Sequence, residues 1–324
     1  MGVDLSVERF GIKFENPLIL ASGPAGFGFE LLQYLDLSKV GAITLKTVTL
    51  NPREGNAPPR LVDTHGGIIN SIGLQNPGIG EFINSIAPRL KEIKTIKIGS
   101  IAGFSVEEWK VLGEEMDKIK EIKAIELDLS CPNVKGKKMW AKDEKLTQEA
   151  IKAVRESTDK PIIAKLAPDV TGIVGIAKKA VEAGADGLSI GNTIEAMRIN
   201  IETGLPVLKL KTGGLSGPAI KPITLARVFK VAEALDVPII GIGGVMNWKD
   251  ALEYAMAGAS LIGIGTALMI NPQSPLEILE GIERFLRQKG IERFEDIVGI
   301  AHRGGFRCLS KNTGKRGIRT LQYW

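Results

Sequence analysis

Ile239-Ile240-Gly241-Ile242-Gly243-Gly244 and Leu261-Ile262-Gly263-Ile264-Gly265-Thr266 are two apolar runs that each finish on glycine. A short apolar run without polar alternation reads as a strand covered on both faces, as strands of an all-parallel sheet are. With strands placed at 239–243 and 261–265, the same reading applies upstream at 18–22, 42–47, 96–102, 124–130, 162–166 and 187–191. A helical pattern follows each run, and the stretches 106–120 and 146–157 are clearly amphipathic. Eight strand–helix repeats predict an α/β fold of the closed (β/α)8 TIM-barrel type, because an open doubly wound sheet uses fewer strands. The alternation Val3-Asp4-Leu5-Ser6-Val7, then Phe10-Gly11-Ile12-Lys13-Phe14, predicts a small hairpin ahead of the first barrel strand.

The 324 residues are 44% hydrophobic and 24% charged, the balance of a soluble chain with a large core. One barrel domain is expected over 1–302, followed by a basic tail over 303–324. The formal charge of +5 is uneven. The last 22 residues hold Arg303, Arg307, Lys311, Lys315, Arg316 and Arg319 and no acid, which leaves the body at −1. That balance argues against a nucleic-acid-binding face on the body. No apolar run is long enough to span a membrane, and the N-terminus lacks the blocks of a secretory signal. The two cysteines, Cys131 and Cys308, are far apart and have no metal-ligand spacing. They fit a reducing cytoplasm and exclude an iron–sulfur cluster held by this chain alone, and no metal site is expected.

Residues 48–78 and 192–221 are too long for plain connections, and both leave the carboxyl ends of strands, where barrel active sites form. Lys46 and Lys165 stand at the ends of otherwise apolar strands. A buried lysine needs a partner. A salt bridge to a neighbouring strand would serve for either one; two together favour a shared ligand, and an isoalloxazine ring with its electron-rich edge is suitable. The glycine pairs on the seventh and eighth strands would let backbone N–H groups approach a phosphate. Cys131 follows the fourth strand. Most free cysteines are small buried hydrophobes, but this position also suits proton transfer by the thiol itself. Asn70, Asn133 and Asn192 each read as a turn residue when taken singly. At active-face positions together, their carboxamides can read a planar ring with alternating donors and acceptors.

Together these motifs resemble the dihydroorotate dehydrogenase family, in particular the branch that works with an iron–sulfur flavoprotein. The resemblance runs from Asp4 to about His302. It rests on Asn16-Pro17 through Ala21-Ser22-Gly23, Asn51-Pro52-Arg53-Glu54-Gly55-Asn56 and the segment from Asn70 to Gly78. Ser130-Cys131-Pro132-Asn133-Val134 and Lys211-Thr212-Gly213-Gly214-Leu215-Ser216-Gly217-Pro218 are its most specific pieces. The resemblance implies an FMN-dependent oxidation of dihydroorotate to orotate in pyrimidine biosynthesis. It implies FMN contacts at Ser22, Lys46, Thr47, Ser100, Asp128, Lys165, Gly191, Gly217, Gly243, Gly244, Gly265 and Thr266. Substrate contacts are implied at Lys46, Asn70, Ser71, Ile72, Gly73, Leu74, Asp128, Asn133, Asn192 and Thr193. Cys131 is implied as the base at C5 of the substrate, with Lys46 beside it in the catalytic centre. A homodimer and an electron-transferring subunit with iron–sulfur and FAD groups are the implied partners.

Three features depart from the family pattern. Asp128 stands where the family usually has asparagine, Ser100 where it has a flavin-contacting asparagine, and 135–140 reads Lys-Gly-Lys-Lys-Met-Trp in place of a glycine pair. Asp128 is either a drifted contact that accepts ring N–H bonds or the mark of a different pyrimidine or cyclic imide substrate. A barrel that keeps a flavin only to bind or relay electrons is the alternative outside enzymology.

Overall fold

The computed structural model describes residues 2–130 and 140–309. Eight parallel strands close into a barrel: β1 Leu18–Leu20, β2 Ala42–Thr44, β3 Ile96–Ile101, β4 Ile122–Asp128, β5 Ile162–Leu166, β6 Gly187–Ile190, β7 Ile239–Ile242 and β8 Leu261–Ile264. Neighbours pair in chain order, and β8 returns to β1 through Ile262↔Leu18, Gly263↔Ile19 and Ile264↔Leu20. Every residue of β1, β2, β5, β6 and β8 is buried, which is why these runs show no polar alternation. The strands are shorter than the apolar runs at their carboxyl ends. Ser22, Lys46 and Thr47 have left the ladder there and line the mouth of the barrel.

The outer layer consists of α1 Val106–Asp117, α2 Glu144–Arg155, α3 Ile173–Glu182, α4 Lys221–Ala234, α5 Trp248–Met256, the short α6 Thr266–Ile270 and α7 Ser274–Lys289. Polar side chains fix the starts of several. The Ser105 hydroxyl accepts from the Glu108 N–H, Asp143 accepts from Lys145 and Leu146, and Asn247 with Asp250 forms a reciprocal capping box on α5. The first two strands break the repeat. No α-helix follows β1, where Pro24 and the left-handed backbone of Gly23, Gly26 and Gly28 leave only 3-10 turns at Phe29–Leu31 and Leu37–Lys39. The segment 78–92 after β2 is a mixture of short α, π and 3-10 turns.

The expected hairpin is present, but Val7–Arg9 pairs with Ile12–Phe14. Phe10 and Gly11 therefore form the turn, and Phe10 is not a strand residue as the alternation suggested. Its ring lies against Gly187 at the start of β6, beneath the barrel.

The two long connections each contribute two strands to one sheet. Its order is Ile194–Met197, Thr212–Ser216, Gly67–Asn70, Leu61–Thr64, all antiparallel. Gly214↔Asn70, Leu215↔Ile69 and Ser216↔Ile68 join the excursion after β6 to the one after β2. The sheet roofs the carboxyl ends of the barrel strands. Past residue 302, the Phe306 ring packs against Phe285 of α7 with centroids 6.1 Å apart. No helix among the described residues is long and apolar enough to cross a membrane.

Candidate active site

Between the barrel mouth and the roof lies a cavity of about 420 Å³, within the roughly 300–1,000 Å³ of small-molecule sites. On the β1–β3 side, a chain of hydroxyls ties three strand ends together. Ser22 Oγ lies 3.0 Å from Thr47 Oγ1, which lies 2.9 Å from Ser100 Oγ. Ser22, Lys46 and Thr47 face the cavity. Ser100 is fully buried and sits one layer behind them, as the support of Thr47.

Across the cavity, β4 and β5 contribute Asp128 and Lys165, which are register partners. Lys165 Nζ is 3.4 Å from the Glu126 carboxylate on the neighbouring strand, and both side chains are buried. The salt-bridge reading of Lys165 is thus met by Glu126, and the residue also lines the cavity, where a ligand could share it. Burial pushes the Glu126 carboxyl up, Lys165 opposes that push and Asp128 adds to it. Sequence reading missed Glu126, although a carboxylate inside the apolar strand Ile122–Asp128 is the same kind of signal as a strand-end lysine.

Asn192, just after β6, is the junction of the site. Its Nδ2 donates to Ser130 Oγ at 2.8 Å and lies 3.4 Å from both the Ser130 carbonyl and Asp128 Oδ1. Its carbonyl oxygen accepts from the Thr193 N–H at 2.8 Å. Ser130 is the last described residue before 131–139, so Cys131 and Asn133 lie outside the described residues. The flanks of that stretch are tied: the Ala141 N–H donates to the Leu129 carbonyl at 3.0 Å.

The roof presents Asn70, Ile72, Gly73 and Leu74 to the cavity, whereas Ser71 is fully buried and does not line it. Asn70 Nδ2 donates to the Gly214 carbonyl at 3.3 Å, so this carboxamide also fastens one excursion to the other. Arg60 is a lining cation that the sequence did not single out, held by Gln75 Oε1 at 2.6 Å. Its signal was weak, because the charge lies in a Pro-rich stretch that reads as a turn.

At the remaining end Gly191, Gly217, Gly243, Gly244, Gly265 and Thr266 come together. Thr266 Oγ1 donates to Ser216 Oγ at 2.9 Å. The cavity therefore has a lysine on each of two facing sides, carboxamides and an apolar roof around its middle, and a glycine-rich cradle at one end. This donor set fits a planar electron-rich ring that carries a phosphate.

A (β/α)8 barrel with such a site is a flavin-using oxidoreductase. The chain belongs to the dihydroorotate dehydrogenase family, whose model matches residues 4–286. It is 46% identical over 297 residues to the dihydroorotate dehydrogenase B (NAD(+)) catalytic subunit of Geotalea uraniireducens, covering 91% of this chain and 97% of that one. It is 48% identical to the protein of the same name from Caldicellulosiruptor bescii, over 92% of this chain and 99% of that one. A relative from Aquifex aeolicus, named provisionally as a fumarate-using dihydroorotate dehydrogenase A, is 43% identical over 93% of this chain and 99% of its own.

Proposed function

We propose that this chain binds FMN and oxidises dihydroorotate to orotate in pyrimidine biosynthesis, as the catalytic subunit of an enzyme whose second subunit carries the electrons onward. The observation that carries this reading is the single cavity that unites Lys46, Asn70, Asn192 and Lys165 with the glycine cradle, in a chain of this family. When bound, the flavin supplies a hydride acceptor for C6 of the substrate ring. Lys165 would sit at the ring's electron-rich edge, and Gly217, Gly243, Gly244, Gly265 and Thr266 would hold the phosphate. Lys46, Asn192, Thr193 and the Asn70–Leu74 segment, with Asn133, would orient the substrate. Cys131 takes the proton from C5 in this scheme, and the Asn192 bonds to Ser130 fix the backbone immediately before it. A positioned acid/base of this kind contributes about 10²–10⁴-fold.

The names of the relatives, catalytic subunits of an NAD(+) enzyme, support a partner subunit; its iron–sulfur and FAD groups are what the family resemblance implies, and the fumarate-named relative supplies the alternative acceptor. The exposed Ile199, Ile201 and Leu205 give an apolar face for the homodimer, and the setting is cytoplasmic.

Dihydroorotate added anaerobically to the purified yellow protein should bleach the flavin, with orotate appearing in equal amount. Protein that takes up flavin but is not bleached by dihydroorotate would refute the substrate. In that event a second reading gains ground, a different pyrimidine or cyclic imide, motivated by the Asp128 carboxylate on the cavity wall.

A further inference from the structure

We infer that Tyr254, on the outer face of the barrel, is a positioning residue that aims the phosphate-binding peptide and so selects a phosphorylated flavin over an unphosphorylated one. The inference rests on the flavin reading above and concerns one end of that site.

Tyr254 lies on α5, and its side chain is fully buried. Its hydroxyl donates to the Gly243 carbonyl at 2.7 Å and is hydrogen-bonded to the Thr224 hydroxyl of α4. Thr224 Oγ1 also lies 3.4 Å from the Gly243 carbonyl. Two helices thus converge on one oxygen at the end of β7. A trans peptide is planar, so its carbonyl and the following N–H point in opposite directions. With the Gly243 carbonyl drawn back toward α4 and α5, the N–H of Gly244 is turned the other way, and both glycines line the cavity. No described residue accepts a hydrogen bond from that N–H.

The lock is needed because this peptide joins two glycines at φ of 132° and 67°. Flipping a peptide plane requires freedom at the ψ before it and the φ after it, and glycine on both sides supplies that freedom. A flipped Gly243–Gly244 peptide would put a carbonyl oxygen where an N–H had been, against the oxygens of a phosphate. The Tyr254 hydroxyl opposes the flip. Burial pushes its phenol well above the ordinary range, so it remains a donor at every working pH. The ring has a separate packing role against Gly241, where an added Cβ would come within 2.5 Å of the ring. Phenylalanine retains that packing and removes only the lock.

The test is flavin binding by the apoprotein, followed by flavin fluorescence, with FMN and riboflavin titrated separately into wild type, Tyr254→Phe and Thr224→Val. Wild type should prefer FMN. Tyr254→Phe should weaken FMN by about 5- to 10-fold, the usual net worth of one hydrogen bond, and leave riboflavin unchanged. Thr224→Val should shift the ratio in the same direction by less, and it provides the measurement if Tyr254→Phe does not fold. Equal losses for both flavins, or an unchanged FMN affinity, would overturn the inference while leaving the flavin reading intact. Binding of neither flavin by wild type would overturn the flavin reading itself.

Discussion

Asp128 carries the substrate question in a single side chain. Its carboxylate lies on the cavity wall, 3.4 Å from Asn192 Nδ2 and from the Ser130 hydroxyl, beside the start of the stretch that contains Cys131. Orotate is an anion, and a carboxylate facing it both repels it and offers no donor. Asp128→Asn should therefore tighten orotate binding by about 10- to 100-fold, since a hydrogen bond to a charged group contributes roughly 1.5–3 kcal/mol. Orotate titrated against the flavin absorbance band of wild type and variant measures this. A weaker complex in the variant would show that Asp128 accepts a bond from the bound ring. The residues legible in the sequence were those whose chemistry clashes with their surroundings, such as Lys46 and Lys165 at apolar strand ends. Ser100 and Ser71 show the limit. A small hydroxyl fits a cavity wall or the layer behind it equally well, and only packing decides, placing both of them behind. Glu126 was equally conspicuous but was passed over as part of the strand, because its partner Lys165 is far away in sequence.

At the scale of elements, the barrel was legible because fully buried strands have a local signature and the active face follows from their direction. The roof was not. Its strands come from two excursions far apart in the chain, and the pairing Gly214↔Asn70, 144 residues apart, is invisible to any local pattern. Composition rich in Gly, Pro and Asn reads as loop, yet these glycines are where the two excursions touch. Gly67 shows this directly, since a Cβ there would run into the Ser216 carbonyl oxygen. Gly67→Ala should separate the two halves of the roof while leaving the eight barrel strands paired. Far-UV circular dichroism and the midpoint of denaturation should change little, whereas flavin and orotate affinities should each drop by at least about 10-fold, a loss of roughly 1–3 kcal/mol of preorganisation. A variant that unfolds outright would instead make the roof part of the barrel's stability, in conflict with its position outside the strand ladder.

For the molecule as a whole, charge separates what the fold holds together. The body to residue 302 carries −1 and the last 22 residues carry +6. Part of this terminal stretch belongs to the packed structure. Phe306 packs on Phe285, Lys289 Nζ lies 5.5 Å above the Phe306 ring, and Phe306 and Leu309 are half-buried against the core. None of residues 303–309 lines the cavity. The packing of Phe306 and Leu309 carries the domain past residue 302, and we propose that the basic residues Lys311, Lys315, Arg316 and Arg319 contact an acidic surface of the partner subunit. Truncation after Leu309 should keep the flavin content, the melting temperature and the bleaching by dihydroorotate. Truncation after Arg303 should keep the flavin but lower the melting temperature by a few degrees, because loss of one half-buried aromatic contact removes about 1–2 kcal/mol of apolar burial. The partner assay then separates charge from packing. Electron delivery to the partner subunit should be slower for the chain ending at Leu309 than for the full chain at low ionic strength. The difference should vanish near 1 M salt, where the Debye length shrinks to about 3 Å. A difference that persists at high salt would place the tail's contribution in apolar contacts through Leu321, Tyr323 and Trp324. An empty flavin site in either truncation would mean that the tail supports the barrel mouth, against the partner-binding role proposed for it.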